Sequence, residues 1–461
     1  MNNMDVVERP AAAVGRVRKS VAEIISVRQL LAKPNLRIPL YQRPYKWSLQ
    51  HVGQLLDDVL QHKGKSAYRL GTVVLHQDED GLLNLVDGQQ RTVTLGLVAR
   101  ALYELRSCEG DAQAFKPDLS QLRFTGPVSR ENLHRNYQAI RRRIGAFDEA
   151  TTRFFFERCE VVLVVIDDLS EAFQFFDSQN ARGKELAPHD LLKAFHLREM
   201  GHLPEAVRMA TVQPWQDADQ QDLARLFHDY LFRIRNWAKG RPARDFTRAD
   251  VAVFKGVNLQ GPQTHPHERL HRMADVYVAG YRQHPDRQID GQQLAYPFQL
   301  DQTVVDGQRF FELVTHYQAQ VAALCHFKQL RDQLPETSTA HRILTTLDQY
   351  EGHHRTGDQY VRMLFECALL YYVDRFGHHE LSRAIEVLFV WAYRVRLELQ
   401  SVRLASIDNN ALQGVQMFQL IREALAPHEV LAAPLPPVVN AVASRVESLK
   451  ELFKQLHYEV S

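Results

Sequence analysis

The sequence predicts an α+β fold, in which a small mixed sheet with helices is followed by a large all-helical domain. The strand patterns all lie before residue 170, and long amphipathic stretches take over beyond residue 200. A chain of 461 residues with 45% hydrophobic content can bury a large core in two or three domains. We therefore expect a flexible N-terminus at 1–20, an N-terminal domain at 21–200 and a helical domain at 201–461.

Composition restricts the functional classes. The 56 Lys and Arg residues nearly cancel the 55 Asp and Glu residues, so a nucleic-acid surface would have to be a local basic patch. The four cysteines are scattered without a close pair, which favours a reducing cytoplasm over a disulfide framework or a zinc site. Neither a hydrophobic signal core nor an apolar run of membrane length occurs, so we expect a cytoplasmic protein without a membrane partner.

The first patterned stretch, Val21–Leu31, has the apolar spacing of a short helix. The next, Ile38–Trp47, reads IPLYQRPYKW, and we call it the aromatic segment. Its two prolines prevent a regular central element and hold the chain extended. Aromatic rings interleaved with cations suit stacking on bases and contacts with phosphates. The alternative is that Tyr41, Tyr45 and Trp47 anchor an irregular segment to the core.

A helix and a β-hairpin follow the aromatic segment. Ser48 is a suitable N-cap for a helix over Leu49–Leu60. The apolar runs Tyr68–His76 and Leu82–Val86 flank Asp78–Gly81, whose composition is typical of a hairpin turn. The sheet therefore begins with this hairpin.

The second hairpin strand runs directly into Asp87–Arg91, and Thr92–Arg106 has apolar residues at helical spacing. Asp87–Arg91 is thus predicted to be the turn between a strand and a helix. The first amides of a helix lack internal partners and lie at the positive end of its dipole, and Arg91 adds a forked cation. These groups favour an anion such as phosphate. An ordinary Asp-Gly turn remains the alternative, because the P-loop spacing is absent.

Two more elements complete the predicted sheet region. Arg130–Ile144 is a basic helix whose arginines suit either a polyanion or a solvated face. Glu160–Asp167 is the strongest strand pattern, and we expect it to be central and buried on both faces.

A helix capped by Ser170 is predicted to break at Gly183 before Pro188 opens another. Asn180, Arg182 and Lys184 fall on this connection, where side chains are free to meet a ligand. Their alternative role is that of ordinary capping and surface residues.

Amphipathic helices are predicted in six stretches of the C-terminal part: Leu223–Trp237, Phe310–Leu334, Thr339–Gln349, Gln359–Arg375, Leu381–Val402 and Val438–Leu456. The strongest polyanion patch is predicted where basic residues outnumber acids: Arg233, Arg235, Lys239, Arg241, Arg244 and Arg248. No metal-ligand spacing or hydrolase triad is recognisable.

Three ordered motifs together resemble the N-terminal domain of GmrSD-type restriction enzymes. They are Ile38–Trp47, Val86–Thr92 (VDGQQRT), and Phe176–Leu186 (FDSQNARGKEL) leading into Asp190–Lys193. The resemblance implies a fold similar to ParB and sulfiredoxin for residues 21–200, with the Asp87–Arg91 turn holding nucleotide phosphates. Its cofactor would be a nucleoside triphosphate, GTP or ATP, with Mg²⁺.

Relatives in this family are prokaryotic defence proteins that recognise modified foreign DNA and couple nucleoside triphosphate hydrolysis to DNA cleavage or nicking. Many carry a C-terminal HNH-like nuclease domain with a His-Ile-x-Pro-type motif, which we do not find here. The resemblance therefore implies a sensor and NTPase with modified DNA and a separate nuclease subunit as partners. The alternative is a non-enzymatic DNA- or partner-binding module that uses the pocket as a nucleotide switch.

The resemblance also implies roles for individual residues. The catalytic group implied by the turn is Asp87, Gln89, Gln90 and Arg91, with Asp87 as the magnesium ligand. The implied nucleotide-binding residues are Gly88, Thr92, Asn180, Arg182 and Lys184. The implied DNA-sensing residues are Tyr41, Gln42, Arg43, Tyr45 and Trp47.

Overall fold

The structure is a computed structural model that describes residues 21–458 except 40, 41, 43, 79, 109–114, 121, 123, 125, 168–186, 262–264 and 285–293. The chain divides into two compact units, residues 1–185 and 186–461. The first unit contains a small sheet with helices and the second is helical, so the predicted α+β class is confirmed. The boundary between the units precedes the helix Pro188–Glu199.

Five strands form the sheet of the first unit: β1 Val21–Ser26, β2 Leu36–Arg37, β3 Tyr68–Gln77, β4 Leu83–Asp87 and β5 Cys159–Ile166. Their spatial order is β1-β5-β3-β4-β2. The β5–β3 and β4–β2 pairs are parallel, whereas β1–β5 and the predicted β3–β4 hairpin are antiparallel. The sheet is therefore mixed, as predicted.

The prediction of a helix over Val21–Leu31 is wrong for its first half. Residues Val21–Ser26 pair antiparallel with β5, and only Val27–Leu31 form a helix, α1. Tertiary pairing with a strong strand overrides a local apolar pattern that fits both periods. Ser26 ends the strand because its hydroxyl accepts from Gln29 N while the Gln29 side chain accepts from Ser26 N.

The prediction for Glu160–Asp167 is partly wrong. Strand β5 is an interior strand, but β3 holds the central position of the sheet. Cys159, Val161 and Leu163 are buried, whereas the alternate residues between them are only half-buried. Only one face of β5 is therefore buried in the core, which is the usual arrangement for a strand with an antiparallel neighbour.

Four further helices complete the first unit: α2 Leu49–His62, α3 Gln89–Cys108, α4 Pro127–Arg143 and α5 Glu149–Glu157. They cover the sheet face that presents Val73, Leu85 and Leu163. Burying this face removes apolar surface from water, which stabilises the unit by roughly 25 cal/mol per Å². The sheet and α3 are thereby fixed relative to each other.

In the second unit, helices α6 to α19 follow in chain order: Pro188–Glu199, Glu205–Asp217, Gln220–Arg225, Phe232–Trp237, Pro266–Gln283, Gln308–Cys325, Phe327–Arg331, Thr339–Gln349, Thr356–Phe376, Leu381–Glu398, Leu404–Leu412, Met417–Glu423, Pro427–Leu431 and Glu447–Gln455. A π-helix over Leu226–Leu231 joins α8 to α9, and a 3₁₀-helix covers Arg248–Phe254.

The predicted helical stretches of this unit are largely confirmed, but Val438–Leu456 is not one helix. Only Glu447–Gln455 is helical, and Arg445, just before it, has a positive φ of 62° that does not fit a right-handed helix. The extended pairing recorded in the described part of this unit is an isolated bridge between Val257 and Val305. Within the same residues, no helix combines the length and hydrophobicity that a membrane span requires.

Candidate functional site

The predicted turn Asp87–Arg91 is shorter in the structure than in the prediction. Strand β4 ends at Asp87, Gly88 connects, and α3 begins at Gln89. Gly88 has φ +82°, and a methyl group there would lie 3.0 Å from both Thr72 O and Val73 Cγ2. Glycine is required on both counts, because it adopts positive φ without strain and leaves room for β3. Residues 89–91 are therefore the first turn of the helix.

The N-terminus of α3 carries main-chain amides that precede the first internal hydrogen bond of the helix. Thr92 N donates to Gly88 O at 2.9 Å, which starts the helical hydrogen-bond pattern. The amides of Gln89, Gln90 and Arg91 precede that bond, so the helix itself does not use them. The helix is 20 residues long, and its dipole places partial positive charge at this end. This geometry suits an anion.

Arg91 lies half-buried beside this helix end. Its Nη1 donates to Thr72 O at 3.0 Å. Within the described part of the chain, this is the one hydrogen bond of the Arg91 side chain. Burial lowers the pKa of Arg91, and the Asp87 carboxylate acts in the opposite direction. A guanidinium stays charged in either case, and its other N–H groups form a fork that matches phosphate oxygens.

Gln90 ties the start of α3 to the aromatic segment. Its buried Oε1 accepts from Lys46 N at 2.8 Å and from Trp47 N at 3.2 Å, while its Nε2 donates to Pro44 O at 3.1 Å. These three contacts occupy its side chain within the protein. Gln90 therefore positions the aromatic segment. Nothing in the sequence around Gln90 indicated this role.

Gln42 makes a similar connection to the sheet. Its Nε2 donates to Leu85 O at 2.8 Å and to Val86 O at 2.6 Å. Strand β2 pairs with β4 only as far as Asn84, so the Gln42 amide continues the contact where the strand stops. The described residues of the aromatic segment thus lie directly beside the strand–glycine–helix connection.

Tyr45 is an anchor of this segment. Its side chain is 0% exposed, and its hydroxyl bonds Thr94 Oγ1 at 2.8 Å and accepts from Asn136 Nδ2 at 3.1 Å. Burial raises the pKa of Tyr45 above its usual value. A ring in this position is not accessible to a base, so the predicted stacking role does not fit Tyr45. Trp47 is half-buried and stacks on His51.

The other predicted site residues have buried side chains, lie beside Gly88, or lie outside the described part of the chain. Thr92 is 0% exposed, so its side chain does not face a ligand at the helix end. Tyr41 and Arg43 lie outside the described residues, as do three more predicted residues: Asn180, Arg182 and Lys184. Asp87 and Gln89 remain beside the glycine, the latter with a buried side chain.

The oxygen ligands available for Mg²⁺ are few. Among described residues, no group of three or more His, Cys, Asp and Glu side chains is arranged so that it could hold a metal ion. Mg²⁺ is commonly held by one or two carboxylates plus substrate phosphates, and Asp87 beside the helix end fits that pattern.

Strand β3 contributes a feature that the motifs did not reveal. Its register against β5 shifts between Arg69 and Thr72, which places one extra residue in β3. Gly71 at this bulge has φ +113° and lies against the Arg91 guanidinium. An isolated glycine inside a strand pattern is the sequence signal of such a bulge.

The basic regions differ in accessibility. Arginines 135, 141, 142 and 143 on α4 are exposed. In the second unit, by contrast, Arg233 and Arg235 are buried, and they donate to main-chain oxygens of Ala243, Leu300 and Gln302. The predicted polyanion patch loses these two residues, because a buried guanidinium that bonds carbonyls is structural.

Comparison with protein families gives two matches. The family of GmrSD restriction endonuclease N-terminal domains matches residues 27–197, and the Family of unknown function (DUF7834) matches residues 207–451. No curated protein matches the chain.

Proposed function

We propose that this protein, whose residues 27–197 belong to the family of GmrSD restriction endonuclease N-terminal domains, is a nucleotide-binding, NTP-hydrolysing sensor of a prokaryotic anti-phage restriction system. Residues 207–451 belong to the Family of unknown function (DUF7834). The protein acts on modified foreign DNA, and a partner supplies the nuclease activity. The observation that carries the proposal is the N-terminal end of α3, which begins at Gln89 beside the half-buried Arg91.

Each part of the helix end has a role in this proposal. The amides of residues 89–91 receive phosphate oxygens, and Arg91 neutralises charge that develops during phosphoryl transfer. Asp87 holds Mg²⁺ or orients the attacking water. Mg²⁺ held by Asp87 would supply positive charge that offsets the charge of the phosphates. GTP and ATP are both candidates for the nucleotide.

The aromatic segment is the DNA-sensing surface in this proposal. Tyr41, Arg43 and the exposed Lys46 supply a ring and cations for a nucleic-acid strand, whereas Gln42, Gln90 and Tyr45 hold the segment. Contact with DNA is transmitted to α3 because the Gln90 side chain belongs to the first turn of the helix and bonds the segment. Such couplings usually amount to about 1–3 kcal/mol, or roughly 5- to 150-fold.

One observation favours a second candidate function, that of a nucleotide switch without hydrolysis. The side chains of Gln90 and Thr92 are buried or engaged within the protein, so the helix end supplies binding groups more clearly than groups that activate water. Nucleotide binding would then alter the aromatic segment through the same Gln90 contacts, and the pocket would regulate DNA or partner binding.

Phosphate release separates the two candidates. Purified protein is incubated with Mg²⁺ and GTP or ATP, with and without modified DNA. The sensor is supported if DNA stimulates hydrolysis by the wild type but does not stimulate hydrolysis by Tyr41→Ala or Arg43→Ala. Tight binding with no phosphate release under any condition supports the switch. Parallel loss of basal and stimulated rates together with a lower melting temperature would show that these residues only pack the domain.

A further inference from the structure

We propose that Gly71 is a positioning residue for Arg91 and that the bulge of β3 is a seat that holds the Arg91 guanidinium toward the anion-binding end of α3. The inference rests on the proposed function, because it concerns how the phosphate-binding cation is held. Neither Gly71 nor Thr72 belongs to the Asp87–Arg91 motif.

Distances define how Arg91 lies on this seat. A methyl group at Gly71 would be 3.0 Å from Arg91 Nη1 and 3.1 Å from both Cζ and Nη2. Near-equal distances to three atoms of one planar group mean that Gly71 faces the plane of the guanidinium. Thr72 O accepts from Nη1 at 3.0 Å, which fixes the rotation of that plane.

The seat requires glycine for two separate reasons. Contacts of 3.0–3.1 Å are tighter than most β-carbon contacts, so a side chain at position 71 would push the guanidinium away by a few tenths of an ångström. The φ of +113° is also one that other residues rarely adopt. The bulge thus brings the peptide of Gly71 and Thr72 close to Arg91 without an intervening side chain.

The same bulge supports the turn that precedes α3. Thr72 O, which accepts from Arg91, is also the atom that a methyl group on Gly88 would approach to 3.0 Å. One short stretch of β3 therefore sets both the glycine connection and the guanidinium. The cation and the helix amides are held on one rigid frame.

A preordered guanidinium matters for binding. An arginine side chain on a surface loses rotamer freedom when it grips a ligand, whereas one already held in place loses less. Thr72 O takes a single N–H of the guanidinium, and the remaining donors form the fork that a phosphate receives. The ligand chemistry expected at the seat is the phosphate chain of a nucleoside triphosphate.

A mutant cycle tests the seat in the full-length chain. Calorimetry with Mg²⁺ and GTP, and separately ATP, compares wild type, Gly71→Ala, Arg91→Ala and the double variant. Arg91→Ala should weaken binding about 10- to 100-fold, the usual effect of losing a charge-assisted hydrogen bond. Gly71→Ala should weaken nucleotide binding by a comparable factor. The double variant should bind no more weakly than Arg91→Ala.

Gly81→Ala is the matched control. Gly81 lies in the β3–β4 turn with φ +77°, but a methyl group there meets nothing within 4 Å. It also places alanine at a positive φ but does not touch Arg91, so wild-type affinity is expected. Wild-type affinity in Gly71→Ala, or an additional loss in the double variant, would overturn the proposal.

If Gly71→Ala is too unstable for calorimetry, the melting temperatures of the variants test the contact with Arg91 instead. The contact with Arg91 predicts that Gly71→Ala lowers the melting temperature more in the wild-type background than in the Arg91→Ala background, because Arg91→Ala removes the obstructed side chain and leaves only the backbone strain. Strictly additive losses in the double variant would refute the seat. If wild type binds neither triphosphate, the proposed function fails, and the melting comparison still decides whether Gly71 positions Arg91.

Discussion

Replacing Gln90 by alanine removes the amide that joins the start of α3 to the aromatic segment. Three hydrogen bonds are lost, to Lys46 N, Trp47 N and Pro44 O. Each bond contributes roughly 0.5–1.5 kcal/mol net, so the substitution should cost about 2–4 kcal/mol of the unfolding free energy of the first unit. For a domain of this size the melting temperature should fall by roughly 5–15 °C.

Amide hydrogen exchange locates this effect. The amides of Lys46 and Trp47 should exchange faster in Gln90→Ala, because both lose their acceptor. Gln61→Ala is the control, since Gln61 is exposed near the end of α2 and its loss should change stability by less than about 0.5 kcal/mol. Unchanged protection at Lys46 and Trp47, or a melting temperature equal to that of the control, would refute the role of Gln90.

Three further predictions follow from the same contacts and charges. Tyr45→Phe removes the hydroxyl that bonds Thr94 and Asn136, and thermal melting should show a loss of about 1–2 kcal/mol. Burial raises the pKa of Asp374 to about 6, so its stabilising contribution is present below pH 4 and is lost as the pH rises to about 6. The unfolding free energy of wild type should therefore fall by about 2–3 kcal/mol relative to that of Asp374→Asn between pH 4 and about pH 6. If the unfolding free energies of the two proteins change in parallel with pH, the prediction is contradicted. Plasmid DNA incubated with the protein, Mg²⁺ and nucleotide should stay supercoiled on agarose gels, and linear product that a point mutation in this chain abolishes would contradict the need for a nuclease partner.

The sequence was most informative where one pattern had one structural solution. The apolar run before Asp87 and the helical period after it predicted a strand and a helix, and the glycine between them marked the reversal. Hairpin β3–β4 was predicted for the same reason. Val21–Ser26 could not be assigned correctly, because its apolar spacing fits a strand as well as a helix and pairing with β5 decides between them.

The side-chain contacts of the site depend on tertiary structure and were not predictable. Gln42 and Gln90 are polar residues that usually lie on surfaces, yet both are buried and bond main-chain groups distant in sequence. The burial of Tyr45 likewise depends on Thr94 and Asn136, which lie on two different helices. Gly71 did carry a local signal, but its significance emerges only when Arg91 is placed against it.

Calorimetric titration of a nucleoside triphosphate with Mg²⁺ tests the central claim most directly. Wild type is compared with Arg91→Ala and with Arg100→Ala, which removes an exposed arginine from the same helix. Saturable binding that Arg91→Ala weakens about 10- to 100-fold, with Arg100→Ala unchanged, is the predicted result. Equal affinity of all three proteins would place the nucleotide elsewhere and contradict the assignment of the α3 N-terminus as the phosphate site.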